Sequence, residues 1–320
     1  MVTLDDIHSA RDRLKGISVH TPLIEFRHPE PANRRLFLKP ENQQPIGAFK
    51  LRGAYNKIAS LSEDDRKRGV ITYSSGNHAQ GVAYAARALG AKAVIVMPRN
   101  APEIKREATA ALGAEIVLVG PGSAERQLKA EELAAEHGYV IVPPYNDKQI
   151  ISGQGTIGLE ILEDLPEVET VLGPVGGGGM ISGVATALKL SKPEIKVIGV
   201  EPELAADAQA SLRAGKIVQF PADDVVRTIA DGLRTQSIGA INFEHIRRYV
   251  DDILTVTEDE IREATRLLAG NPQTVAEPSG AVAVAGFLFR REQLPPTKLN
   301  VAIISGGNID PKMLDELLRG

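Results

Sequence analysis

The chain has 320 residues, room for one large or two medium domains with substantial cores. Its 37 Lys and Arg against 41 Asp and Glu give a net charge of -4 with no basic block, which argues against a nucleic-acid partner. With no cysteine, disulfides, thiolate metal sites and cysteine nucleophiles are excluded, and a reducing, cytoplasmic setting is expected.

In chain order, Met1 to Asp6 lacks the basic and apolar regions of a secretory leader. From Val70 to Val142, strand-like and helix-like runs alternate: VITY, HAQGVAYAARALG, AVIVM, EIKREATAALG, EIVLV, SAERQLKAEELAAEHG and YVIV. Gly90, Gly113 and Gly138 stand where a glycine ends a helix. This block, 70–142, predicts a small mobile α/β domain set into a larger one made of 1–69 plus 143–320. Beyond it the pattern gives a helix around 149–163, a strand at 170–173, a helix at 180–190 and a strand at 196–201. A helix at 258–268, a buried helix at 281–289 and a strand at 299–304 follow. The fold class is α/β, with mainly parallel strands and helices on both faces. Residues 171–188 carry no charge and approach a membrane-spanning length, but the central Gly-Pro-Val-Gly-Gly-Gly-Gly would not hold a helix. No membrane segment is expected.

Three loops follow strands, where α/β proteins place ligands: SSGN (74–77), GGGG (176–179) and SGGN (305–308). Four successive residues without Cβ, leading into a helix N-terminus, predict a phosphate cradle at Gly176, Gly177, Gly178 and Gly179. A tight turn under close packing is the alternative. Lys50, within PENQQPIGAFKLRGAYNK, is by composition alone an ordinary helix-start lysine.

Together, GAFKLRGAY (47–55), SSGNHAQGVAYAA (74–86), GQGTIGLEI (153–161), GPVGGGGMISG (173–183), EPSGA (277–281) and SGGN (305–308) resemble the fold-type II pyridoxal-phosphate enzymes. Within that group they look most like the serine/threonine dehydratase and serine racemase family. The resemblance covers nearly the whole chain. It implies two open, parallel-rich twisted sheets with the active site between a large and a small domain, and a homodimer. Lys50 matches the Schiff-base lysine, Phe49 a position packed against the cofactor ring, and Asn77 the partner of its hydroxyl oxygen. Gly176 to Met180 match the phosphate loop, and Ser305 the partner of the pyridine nitrogen. Ser74, Ser75, Gly76, Asn77 and His78 match the substrate-binding loop. A neutral serine at 305 disfavours a long-lived delocalised carbanion and suits rapid loss of a β-substituent.

The activity so implied is dehydration of L-threonine or L-serine to 2-oxobutyrate or pyruvate plus ammonia, with Lys50 removing the Cα proton. Ser75 stands where serine racemases carry a second acid/base, which makes racemisation the alternative. Dehydration of another β-hydroxy amino acid, such as 3-hydroxyaspartate, is also open. Pro143-Pro144-Tyr145-Asn146 looks instead like the catabolic threonine dehydratases. Pro45 replaces the nucleotide-site lysine of animal racemases, which argues against activation by ATP. Glu201, Ala205 (through its carbonyl) and Asp207 resemble the divalent-cation site of racemase-like members, suited to Mg²⁺, Mn²⁺ or Ca²⁺. Two acids at a helix start are otherwise ordinary dipole partners. The end at Gly320 leads us to expect no isoleucine-binding effector domain. A nicotinamide-dependent oxidoreductase is the remote rival, but no G-x-G-x-x-G fits 173–183. His8, His20, His28, His137 and His245 show no metal-ligand spacing.

Overall fold

The computed structural model describes residues 1–27, 34–101, 103–120 and 122–319, so His28 lies outside it. Ten strands are present: β1 (Ile24–Phe26), β2 (Arg35–Pro40), β3 (Val70–Tyr73), β4 (Ala93–Pro98), β5 (Glu115–Val119), β6 (Val140–Ile141), β7 (Thr170–Pro174), β8 (Lys196–Pro202), β9 (Asp252–Val256) and β10 (Leu299–Ile304). They form a six-stranded sheet, order β1-β2-β10-β7-β8-β9, and a four-stranded sheet, order β5-β4-β3-β6. Every pairing is parallel except β1 with β2, as the α/β reading expects.

Strand alternation divides the larger sheet into two apolar faces. Val171, Val197, Ile253, Val301 and Ile303 pack with Ile181, Val184 and Leu188 of the helix Gly179–Ser191. Leu172, Ile198, Leu254, Ala302 and Ile304 pack with Val282, Ala285 and Phe287 of the helix Pro278–Phe289. Each such Val, Leu or Ile contributes about 1.5–3 kcal/mol by leaving water. In the smaller sheet, Val70, Ile95 and Met97 face the helices Lys50–Ala59 and Asn77–Ala88, while Ile71, Val94 and Val96 face Ala130 and Leu133. Helix Lys50–Ala59 precedes the smaller sheet in the chain yet shares its core.

Glycines set the distances between three of the helices. A Cβ on Gly153 would lie 2.6 Å from the Arg52 carbonyl, and one on Gly53 would lie 2.9 Å from the Ile150 carbonyl. Helices Lys50–Ala59 and Lys148–Asp164 therefore cross almost backbone to backbone. One turn further on, a Cβ on Gly183 would strike the Ile151 carbonyl and the Gly155 nitrogen, so Lys148–Asp164 meets Gly179–Ser191 in the same way. The GQGTIG stretch is the joint between them.

The helices expected at 149–163, 180–190, 258–268 and 281–289 are Lys148–Asp164, Gly179–Ser191, Glu258–Leu268 and Pro278–Phe289. Strands β1, β2 and β9 and the helix Ala240–Tyr249 were not anticipated. Among the described residues no helix is long and apolar enough to cross a membrane.

Candidate active site

Lys50 opens the helix Lys50–Ala59, whose N-cap position, Phe49, offers no side-chain cap. The preceding residues lie along the SGGN loop after β10. The Phe49 N–H donates to the Ser305 carbonyl at 3.1 Å, Ala48 bridges Gly306, and the Gly307 N–H donates to the Gly47 carbonyl at 2.9 Å. Two motifs some 250 residues apart in sequence are thus stitched together. The Lys50 Nζ donates to the Pro144 carbonyl at 2.8 Å and lies 5.2 Å from the Phe49 ring centroid. Burial lowers the Lys50 pKa to about 8, so near that pH about half of the amine is neutral and able to act as nucleophile or base.

The polyglycine turn lies beside the same segment. A Cβ on Gly177 would fall on the Tyr145 ring, and one on Gly179 would lie 3.0 Å from Tyr145 Cβ. Tyr145 directly follows Lys50's acceptor, Pro144. Gly178, at φ 90°, is the left-handed N-cap of helix Gly179–Ser191. Close packing therefore accounts for Gly177 and backbone conformation for Gly178. The helix end has no side-chain cap, and Gly179 and Met180 are buried there. Helix-start N–H groups without an internal acceptor are what an anion would satisfy. Some helices carry caps, from Thr3, Ser62, Asp147 and Thr257, while others, such as Asn77–Ala88 and Ala240–Tyr249, do not.

The SSGN loop follows β3 and closes a third side. Asn77 Nδ2 donates to Glu277 Oε1 at 2.5 Å, and Asn77 Oδ1 accepts from Asn308 Nδ2 at 2.8 Å. Gly76 is the N-cap of helix Asn77–Ala88, again without a side-chain cap, so Ser75 does not cap it. Ser74 Oγ accepts from the Gly76 N–H at 3.3 Å. His78 is buried, and its Nε2 donates to the Val142 carbonyl at 3.0 Å. Burial and the neighbouring Lys50 charge push the His78 pKa down to about 3, so the ring is neutral. Ser305, also buried, donates through Oγ to the Ser279 carbonyl at 3.5 Å.

A half-buried amine, an uncapped glycine turn and the serine-bearing SGGN loop are brought together from distant parts of the chain. The family model described as "Pyridoxal-phosphate dependent enzyme" matches residues 16–306. The chain belongs to the pyridoxal-phosphate-dependent enzymes. It is similar to an L-threonine ammonia-lyase of Thermotoga maritima, 47% identical over 99% of this chain and 78% of the relative. It is 41% identical to an L-threo-3-hydroxyaspartate ammonia-lyase of Saccharomyces cerevisiae, over 99% and 97% of the two chains. The structure of maize serine racemase superposes with a TM-score of 0.93 at 37% identity, covering 99% of this chain and 97% of that one. As a pyridoxal-phosphate enzyme the protein has a site that fits its cofactor. The uncapped, buried turn at Gly176 to Met180 would hold the phosphate, Lys50 the aldehyde carbon, Asn77 the ring hydroxyl and Ser305 the ring nitrogen.

Glu277 was not singled out from sequence. It is buried against Asn77, and burial together with the Asp231 charge raises its pKa to about 7. An acid at the start of an otherwise apolar segment, EPSGAVAVAGF, was the available signal.

The second acidic pair lies after β8. Glu201 is fully buried and accepts from the N–H groups of Ala208 at 3.0 Å and Gln209 at 2.8 Å. It is therefore not presented to a ribose, which removes the nicotinamide rival's clamp. Asp207 is buried too. Its Oδ1 accepts from Thr235 Oγ1 at 3.5 Å, and Oδ2 has no partner. Burial raises the Asp207 pKa to about 7, and burial plus the Asp207 charge raise that of Glu201 well above the ordinary carboxylate range. Two mutually repelling carboxylates with one orphaned oxygen fit a hard cation. Among the described residues no group of three or more His, Cys, Asp or Glu gathers, so backbone oxygens or water would complete any shell.

Proposed function

We propose that the protein is an ammonia-lyase that converts L-threonine or L-serine to 2-oxobutyrate or pyruvate plus ammonia. The observation carrying this reading is the Lys50 amine bonded to the Pro144 carbonyl, next to the Tyr145 against which the glycine turn packs, with its own helix start tied through Phe49 to the Ser305 backbone. Pyridoxal phosphate, when bound, supplies an aldehyde carbon for an amine and an electron-withdrawing ring that stabilises charge at the substrate Cα. Lys50 would hold the cofactor through its amine, and that amine, when free, would take the Cα proton, with Pro144's carbonyl orienting the ammonium so formed. The open N-terminus of helix Asn77–Ala88, with Ser74, Ser75 and Gly76, would bind the substrate carboxylate. His78, kept neutral by its burial and by the neighbouring Lys50 charge and oriented by its bond to the Val142 carbonyl, adds no second cation beside Lys50. Ser305 offers no full charge to the ring nitrogen, which favours prompt departure of the β-hydroxyl.

The test is a purified-protein assay on a panel of β-hydroxy amino acids, with the visible absorption band of the bound cofactor recorded alongside. Lys50→Ala should lose both oxo-acid formation and that band. An unaltered band in the variant would sink the assignment.

Racemisation is the second reading, favoured by the release of Ser75 from any capping duty. Ser75→Ala should then lose D-isomer formation and keep oxo-acid formation. We further infer a divalent cation (Mg²⁺, Mn²⁺ or Ca²⁺) at Glu201, Asp207 and the Ala205 carbonyl, supported by the orphaned Asp207 oxygen. Residues 70–142 are proposed to move as a small unit against 1–69 plus 143–320. Family likeness also supports a cytoplasmic homodimer.

A further inference from the structure

One ion pair joins the two sheets at the edge of the site. Lys105, on the helix Glu103–Ala111 between β4 and β5, places Nζ 2.6 Å from Oδ2 of Asp231. Asp231 begins the short turn Asp231–Leu233, which belongs with the larger sheet. That turn is fixed to the site at two points. The Gly232 N–H donates to Ser279 Oγ at 2.8 Å, and Leu233 Cα lies 3.2 Å from where a Cβ on Gly176 would stand. Both charges reach the Asn77–Glu277 contact, Asp231 raising and Lys105 lowering the Glu277 pKa. Lys105 is three-quarters buried and Asp231 less so.

We propose that Asp231 is a specificity-determining residue, holding Lys105 in an ion pair across the cleft so that substrates with a neutral β-substituent are preferred over β-hydroxy dicarboxylates. A second carboxylate on the substrate would meet the Asp231 charge, while the Lys105 ammonium is already committed to Asp231. Discrimination of this kind rests on a repulsive element as much as on attractive ones. The inference rests on the ammonia-lyase reading and assigns the substrate class of that same site.

The experiment compares kcat/KM for L-threo-3-hydroxyaspartate and L-threonine in the cofactor-loaded wild type, Asp231→Asn and Lys105→Met. Using the ratio of the two substrates cancels any common effect on cleft closure or folding. Asp231→Asn removes a negative charge and releases Lys105, so the dicarboxylate-to-threonine ratio should rise by about tenfold, equivalent to about 1.4 kcal/mol. Lys105→Met leaves Asp231 unpaired, so the ratio should fall. Ratios that move in the same direction in both variants, or stay within about twofold of wild type in Asp231→Asn, overturn the inference alone. Wild-type turnover of neither substrate overturns the functional reading and the inference with it.

Discussion

Replacing Glu277 with Gln should make the cofactor-free protein more stable at pH 8, although a buried hydrogen-bonded side chain is being changed. Glu277 is 4% exposed, and its carboxyl is raised from 4.5 in the unfolded chain to about 7 in the fold. Below pH 4.5 the acid is protonated in both states and contributes nothing to the pH dependence. Between about 4.5 and 7 the unfolded chain releases its proton while the folded chain keeps it, so stability falls as pH rises. Above 7 the full loss is in place, and for a carboxyl moved from 4.5 to about 7 it amounts to about 3 kcal/mol. A glutamine carbonyl can still accept from Asn77 Nδ2, so the contact survives while the ionisation does not. Urea denaturation of both apoproteins at pH 8 and pH 5 measures this. The expected gain is about 3 kcal/mol at pH 8 and less than about 1 kcal/mol at pH 5. A gain that does not vary with pH, or a less stable variant at pH 8, would refute the assignment of a raised carboxyl at this position.

Gly177→Ala places a methyl on the Tyr145 ring, so cofactor affinity, measured by equilibrium dialysis, should fall by at least about tenfold through displacement of the cradle. Arg52→Met removes the cation bonded to Glu41 and leaves Glu160 with Lys39 alone, both carboxylates having been bonded to the guanidinium at 2.6–2.9 Å, and should cost about 3–5 kcal/mol in denaturant unfolding. For the proposed cation, addition of Mg²⁺ to EDTA-treated protein should raise the melting temperature, and Asp207→Asn should abolish that rise. An equal rise in the variant would place the ion elsewhere.

The strands and helices legible in the sequence were those whose apolar residues are buried on both faces or follow a clear period. Strand β2 was missed because Lys39 interrupts its apolar pattern. That lysine is fully buried, donating to the Thr21 carbonyl and paired with Glu160 at 2.6 Å. The same Glu160 also bonds Arg52, which Glu41 grips from the other side, so four charges share an interior that no periodicity rule would assign to them. Strand β9 lies at a sheet edge and starts with an exposed aspartate, so its apolar run is short. The three loops stood out because they follow strands and are rich in glycine, serine and asparagine, whereas roles for Lys50, Asn77 and Ser305 came only from the family resemblance. Glu277, Lys105 and Asp231 drew no notice, since their meaning lies in partners 200 and 126 residues away, Asn77 for Glu277 and one another for the ion pair.

The glycine-to-glycine crossings have a consequence for how the site tolerates motion. Lys50 begins one helix of the three-helix truss and the phosphate cradle begins another, with Lys148–Asp164 clamped between them at Gly53/Gly153 and Gly155/Gly183. The span from amine to anion seat is thus governed by backbone thickness, the least compressible dimension in a protein interior. A single methyl at Gly153 or Gly183, far from any substrate atom, would lengthen that span.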